Sequence, residues 1–170
     1  MNNTLTAALF IGIDVSSKSN YVYGMDFFGN KLLSFQTSNN NPGAEVIAHE
    51  ILQCLKKNSL THLNIAMEST SFYSWHIANF LSCHEKLLWF KPKVYCLNPK
   101  VIANYKKTFI DIDKTDPKYA MVISDFARVG KITTAPWKGS QYIALQRLTR
   151  CRLHIMENIT REKSYILSNI

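Results

Sequence analysis

Two short apolar segments of this chain each end at an acidic residue, and this pattern constrains the fold more than any other feature. Residues 7–15 are rich in β-branched and aromatic side chains and carry Asp14 next to the last position, whereas residues 62–68 end at Glu68. Runs of this length and composition are typical of buried β-strands. If the two strands are neighbours in one sheet, both carboxylates face one cleft at its edge.

The remaining elements indicate which architecture contains these strands. Segments 21–26 and 31–37 flank a turn with Gly29-Asn30, which predicts an antiparallel meander with the first strand. There follow a helix behind Pro42, the Glu68 strand, a helix capped within 69–71, a strand at 93–97, a helix at 100–107 and a helix from Thr115 to Gly130. This order predicts an α/β, RNase H-like fold with a five-stranded mixed sheet flanked by helices.

The chain divides by composition into three parts. Residues 1–132 form the predicted sheet domain, residues 133–139 with Pro136 read as a linker, and residues 140–170 as a long basic helix. Apolar residues recur along this C-terminal helix at intervals of three and four residues. Because such a stripe is too long to leave in water, we expect the helix to form a homo-oligomer or to dock on another domain.

The charge is concentrated in the second half of the chain. Residues 1–99 carry 7 Lys and Arg against 6 Asp and Glu, whereas residues 100–170 carry 13 against 6. A basic half is typical of proteins that bind nucleic acid, where phosphate contacts dominate the affinity. The candidate contacts are Lys106, Lys107, Arg147, Arg150 and Arg152.

Composition excludes several classes of protein. With 46% hydrophobic residues the chain is not disordered, and it has neither a run long enough to span a membrane nor a basic secretory n-region. We therefore expect a cytoplasmic protein without a membrane partner. The four cysteines form no C-x-x-C pair, which argues against a zinc site.

The two strand-end acids predict metal chemistry. Carboxylate oxygens suit Mg²⁺ or Mn²⁺, and paired ions stabilise the attacking and leaving oxygens in phosphodiester chemistry. Asp116 is a third candidate, although an acid at a helix start is also explained by the helix dipole. Asp14, Glu68 and Asp116 are thus the candidate catalytic and metal-binding residues.

Four motifs extend these observations to a family resemblance. The segments Ile11-Gly12-Ile13-Asp14-Val15-Ser16-Ser17-Lys18, Ala66-Met67-Glu68-Ser69-Thr70, Asn98-Pro99 and Lys114-Thr115-Asp116-Pro117-Lys118-Tyr119-Ala120 resemble the DEDD transposases of the "IS one-ten" insertion-sequence family, kin to the Piv DNA invertases. Residues 144–153 resemble the start of that family's helical linker. The resemblance implies a RuvC-like domain that binds Mg²⁺ through an Asp, a Glu and two Asp, and a DNA recombinase that pairs with a structured guide RNA.

The chain departs from the family pattern at Tyr119. The family motif Lys-Thr-Asp-x-x-Asp-Ala places two acids on one helix face, and Tyr119 stands where the second acid belongs. A phenol is neutral at pH 7 and a poor Mg²⁺ ligand. We therefore expect one firmly bound ion, unless Asp111 or Asp113 supplies the missing ligand.

Three functions follow from these features. The first is the metal-dependent RuvC-like domain of a transposase, which ends before the serine-bearing second domain of the resembled enzymes and is inactive in strand exchange alone. The second is a catalytically degenerate module of the same fold that binds RNA, DNA or a partner without cleaving. The third, an actin- or hexokinase-like ATPase, is disfavoured because the chain has only 6 glycines for phosphate turns.

Overall fold

The computed structural model describes residues 3–69, 73–109, 116–130 and 132–169. It divides into two compact units, Met1–Trp137 and Lys138–Ile170. The first unit contains α1 (Asn3–Thr6), β1 (Ala8–Val15), β2 (Ser19–Met25), β3 (Lys31–Ser38), α2 (Asn41–Lys57), β4 (His62–Glu68), α3 (Tyr73–Cys83), α4 (Glu85–Leu88), β5 (Lys93–Leu97), α5 (Pro99–Lys106) and α6 (Asp116–Val129). The second unit is the helix α7 (Ser140–Ser168).

The five strands form one mixed sheet in the order β3-β2-β1-β4-β5. The β1–β2 and β2–β3 pairs are antiparallel, whereas β1–β4 and β4–β5 are parallel. In the central pair Ile13 is opposite Met67, so the next residues along the two strands are Asp14 and Glu68. The predicted five-stranded mixed sheet and the long C-terminal helix are confirmed.

Alternation along the strands divides the core between the two faces of the sheet. Odd-numbered residues of β1 and β4, such as Ile11 and Ile65, pack with Ile47 of α2 and Ile77 of α3. On the opposite face even-numbered residues such as Phe10 pack against α6. Because side chains alternate with period two, Asp14 and Glu68 lie on the α6 face.

Helix α6 lies unusually close to the central strand. A Cβ atom added to Gly12 would stand 2.1 Å from the carbonyl oxygen of Ala120 and 2.4 Å from the amide nitrogen of Ser124. The Ser124 hydroxyl donates a hydrogen bond of 2.9 Å to the carbonyl oxygen of Phe10. Backbone contact and hydrogen bond together fix α6 across β1, just before Asp14.

The predicted elements agree with the structure to within about two residues, with three differences. The short helices α1 and α4 were not predicted, because four residues carry no helical periodicity. The third difference is Val46, which its spacing in the sequence groups with Ile47, Ile51 and Leu55 but which is 46% exposed, because α2 is buried mainly through those three residues.

Other predictions are not settled by the structure. Part of the cap proposed for α3, and the loop acids Asp111 and Asp113, lie outside the described residues. The division into 1–132, 133–139 and 140–170 remains a prediction. Among the described helices none is both long and apolar enough to cross a membrane.

Candidate functional site

The first feature of the candidate site is the pair of carboxylates at the carboxyl edge of the parallel strands. Asp14 is half-buried, and Glu68 is buried with 9% of its surface exposed. Glu68 is paired in the sheet with Leu97 of β5, and Asp14 with Tyr21 of β2. The pairing predicted from the two apolar segments is thus present in the sheet, and it concentrates two negative charges in one cleft.

Tyr119 of α6 reaches this cleft. The pKa of the Tyr119 phenol is raised, chiefly by burial and then by its interaction with the nearby Glu68 carboxylate and by the negative charges of Glu68 and Asp14. The phenol is therefore neutral at physiological pH and stands beside Glu68.

A positive charge lies over the ring of the same tyrosine. The ammonium nitrogen of Lys106, the last residue of α5, is 5.6 Å from the centroid of the Tyr119 ring. This separation is within the range of a cation–π contact. From the sequence, Lys106 is predicted only as a nucleic-acid contact, because the order of the elements does not show that the end of α5 lies beside Tyr119.

The structure does not gather the predicted third acid into the same cluster. Asp116 is the exposed first residue of α6, where its charge is favourable to the helix dipole. Within the part of the chain that the structure describes, no group of three His, Cys, Asp or Glu residues is arranged to hold a metal ion. The catalytic and metal-binding roles of Asp14, Glu68 and Asp116 remain predictions.

The donor set can be tested against the two-ion site of the resembled family. Asp14 and Glu68 offer oxygen ligands of the type that Mg²⁺ and Mn²⁺ prefer, and their two charges balance one divalent ion. Tyr119 offers a neutral phenol in place of a carboxylate, with Lys106 next to it. The described residues therefore fit one divalent ion and do not fit a pair.

A polar network connects α5 to α6 and so sets the position of Lys106 over Tyr119. The Tyr105 hydroxyl donates to Asp125 Oδ2 at 2.7 Å, and the Arg128 guanidinium donates to Asp125 Oδ1 at 2.6 and 2.9 Å. Arg128 also donates to the carbonyl oxygen of Phe27 in the β2–β3 turn. Burial and the bond to Asp125 raise the pKa of Tyr105 to about 12. Sequence reasoning missed this network, although the i,i+3 spacing of Asp125 and Arg128 was a visible signal.

The other predicted nucleic-acid contacts are exposed. Lys107 follows α5 directly, and Arg147, Arg150 and Arg152 lie on α7. The structure thus places the first within the sheet unit and the three arginines in the helical unit. Their binding role remains a prediction.

Comparison with known proteins identifies the family. Residues 11–170 match the model of the DEDD transposases of the IS110 type, described as Transposase. A solved structure of T. thermophilus RuvC in complex with a Holliday junction substrate is similar in fold, with a TM-score of 0.50 and 12% sequence identity over 76% of this chain and 99% of that one. No curated protein gives a significant sequence match.

The match spans the motifs around Asp14, Glu68, Asn98-Pro99 and Asp116, and the sheet order and flanking helices agree with a RuvC-like, RNase H-like fold. The resemblance that the motifs indicated is confirmed: this chain belongs to the IS110-type DEDD transposase family.

Proposed function

We propose that this chain is the DNA-processing domain of a transposase, and that Asp14 and Glu68 bind one divalent ion, Mg²⁺ or Mn²⁺. The observation that carries the proposal is the position of these two carboxylates on adjacent parallel strands, on the face covered by α6. When bound, the ion would polarise a phosphodiester oxygen and help to generate the attacking hydroxide.

Lys106 is the reason to expect one ion rather than two. An ammonium group 5.6 Å from the Tyr119 ring raises the electrostatic cost of placing a second divalent ion beside α6. The same charge is well placed to attract a phosphate group to the cleft. We propose that Lys106 thereby takes over part of the charge balance that a second ion supplies in the family pattern.

The proposed partners are DNA and a structured RNA. The solved RuvC structure is bound to a Holliday junction, and the excess of basic residues from position 100 onward is suited to phosphate contacts.

We further propose that α7 associates with a second copy of the chain. This proposal is supported by the large apolar side chains of α7 that are 42–75% exposed, among them Leu148, Ile155 and Ile159, because exposed apolar patches mark interaction surfaces.

A second candidate function is a nucleic-acid-binding module that has lost cleavage. The observation that favours it is Tyr119, because its neutral phenol stands beside Glu68 and supplies no negative charge to a metal ion. Titration with Mn²⁺ separates this candidate from the first.

The test is calorimetric titration with Mn²⁺ of the unmodified chain and four variants. We expect one site in the unmodified chain, at least a tenfold loss of affinity in Asp14→Asn, and little change in the control Glu85→Gln, an exposed acid of α4. Tyr119→Asp should tighten binding by about tenfold or more, because it adds a unit charge to the cleft. A second site should appear only in the double variant Tyr119→Asp with Lys106→Met.

Each outcome decides between the candidates. No Mn²⁺ binding by the unmodified chain supports the non-cleaving module and contradicts the metal-dependent domain. Two tightly bound ions in the unmodified chain would mean that another group supplies the missing ligand, and the single-ion proposal would then be wrong. A gain of the second ion in Tyr119→Asp alone would exclude the role assigned to Lys106.

A further inference from the structure

A second concave surface lies at the opposite edge of the sheet from the carboxylates. A cavity of about 330 Å³ opens beside the amino ends of β1, β4 and β5 and the C-terminal end of α6. Its lining includes Phe10, which is four residues, or roughly 13 Å, from Asp14 along β1. This amino-edge cavity is therefore separate from the carboxylate cleft.

The charge of the amino-edge cavity has one sign. Lys91, Lys93 and Arg128 line it, together with His62, and no Asp or Glu is found among the described residues of its wall. Arg128 is neutralised by Asp125, at 2.6 Å. Lys91 and Lys93 are exposed, and the described part of the chain places no carboxylate in an ion pair with either. Two lysine charges thus remain available to an anion.

Three aromatic residues contribute to the otherwise aliphatic apolar wall of the cavity. Phe10, Phe27 and Tyr95 line it, and burial raises the pKa of the Tyr95 phenol, which keeps that ring uncharged. The volume lies at the lower end of the range of ligand pockets, and a single nucleobase with its sugar is of suitable size. Aromatic walls under a pair of lysines fit a ligand with a flat ring and a phosphate.

Two further exposed aromatic side chains lie close in the chain to residues of the cavity lining. Phe28 is 75% exposed and meets the Phe27 ring edge to face at 5.7 Å, and Trp89, two residues before Lys91, is 85% exposed. A single exposed aromatic residue needs no explanation, but two that adjoin cationic and aromatic lining residues in the chain are of the type that forms stacking platforms in proteins that bind single strands.

We propose that the amino-edge cavity binds one nucleotide of a single-stranded nucleic acid, with its base against the partly exposed rings of Phe27 and Tyr95 and its phosphates on Lys91 and Lys93. Neighbouring bases stack on Trp89 and Phe28. A duplex is disfavoured as the occupant because its bases are stacked within the helix and reach a cavity only when flipped out. The proposal is independent of the metal site, so either can fail while the other holds.

The test is fluorescence anisotropy with labelled twelve-residue oligo-dT, oligo-U and a duplex of equal length. In the double variant Lys91→Met with Lys93→Met, we expect about tenfold weaker binding of the single strands and little change for the duplex. The slope of log K against log salt should fall by about 1.4, since each lost phosphate contact removes about 0.7. Trp89→Leu should weaken single-strand binding by about fivefold or more.

The matched control is Lys56→Met with Lys57→Met, which removes the same charge from the exposed end of α2, on the other face of the sheet. If both double variants lose equal single-strand affinity, the effect comes from the net charge of the protein and not from the cavity, and the proposal is overturned. Full competition by uridine monophosphate at the same concentration would also overturn it, in favour of a site for free nucleotides. A preference between oligo-dT and oligo-U identifies the natural strand as DNA or RNA.

Discussion

Gly12→Ala is the substitution that most directly tests how the site is built. Gly12 lies two residues before Asp14 in β1, and its missing side chain is what allows the α6 backbone to approach the strand. Because Gly12 has no positive φ, alanine is compatible with its backbone conformation. The whole effect of the substitution should therefore come from contact with α6.

The size of that effect follows from the distances. The added Cβ would stand 2.1 Å from the Ala120 carbonyl oxygen, so the two atoms must separate by about 1.3 Å to reach ordinary contact at 3.4 Å. Neither backbone can move away easily, because β1 is paired on both sides in the sheet and α6 is held by the hydrogen bond from the Ser124 hydroxyl to the Phe10 carbonyl oxygen. Overpacking of a rigid core costs about 1–3 kcal/mol or more, and we expect a loss of about 3 kcal/mol in the free energy of unfolding.

The assay is urea denaturation followed by far-UV circular dichroism, with Gly24→Ala as the matched control. Gly24 is also a buried strand glycine without positive φ, but a Cβ there would meet the Ile11 and Leu33 side chains at 2.8 Å rather than backbone. Side chains can rotate away, so we expect a loss of about 1 kcal/mol or less for Gly24→Ala. Mn²⁺ affinity should fall in Gly12→Ala only, because displacement of β1 at Gly12 shifts Asp14, two residues further along the strand, relative to Glu68.

The reasoning would be refuted if the two alanine variants had unfolding free energies within about 0.5 kcal/mol of each other. That result would mean that α6 does not lie against β1 at Gly12. The position of Tyr119 beside Glu68 would then lose its structural basis.

Two further predictions concern the basic helix. The triple variant Arg147→Gln, Arg150→Gln and Arg152→Gln should weaken binding of duplex DNA and structured RNA, while the unfolding of the sheet unit stays unchanged. For duplex DNA, the slope of log K against log salt should fall by up to about 2.7. An unaltered slope in a gel-shift titration would contradict this prediction. By light scattering the chain should be at least a dimer. The double variant Leu148→Asp with Ile155→Asp should be a monomer, because burying a charge in an apolar helix interface is costly. A monomeric unmodified chain at high concentration would exclude the proposed self-association.

The order and the type of the main elements could be predicted because the local patterns were strong. The β4 and β5 strands have the predicted bounds, His62–Glu68 and Lys93–Leu97, since each is a short apolar run between clear breaks. The pairing of Asp14 with Glu68 could be inferred as well, because both acids end strands that this element order makes neighbours.

The sequence by itself determined the fold class, the family and the pair of strand-end acids, because periodicity, turn residues and short motifs are properties of neighbouring positions. Only the tertiary structure decided what surrounds those acids. The Tyr119 phenol beside Glu68 and the Lys106 ammonium over the Tyr119 ring bring together β4, α5 and α6. Such contacts depend on the closeness of α6 to β1 at Gly12, a distance set by packing between elements and not by any local pattern.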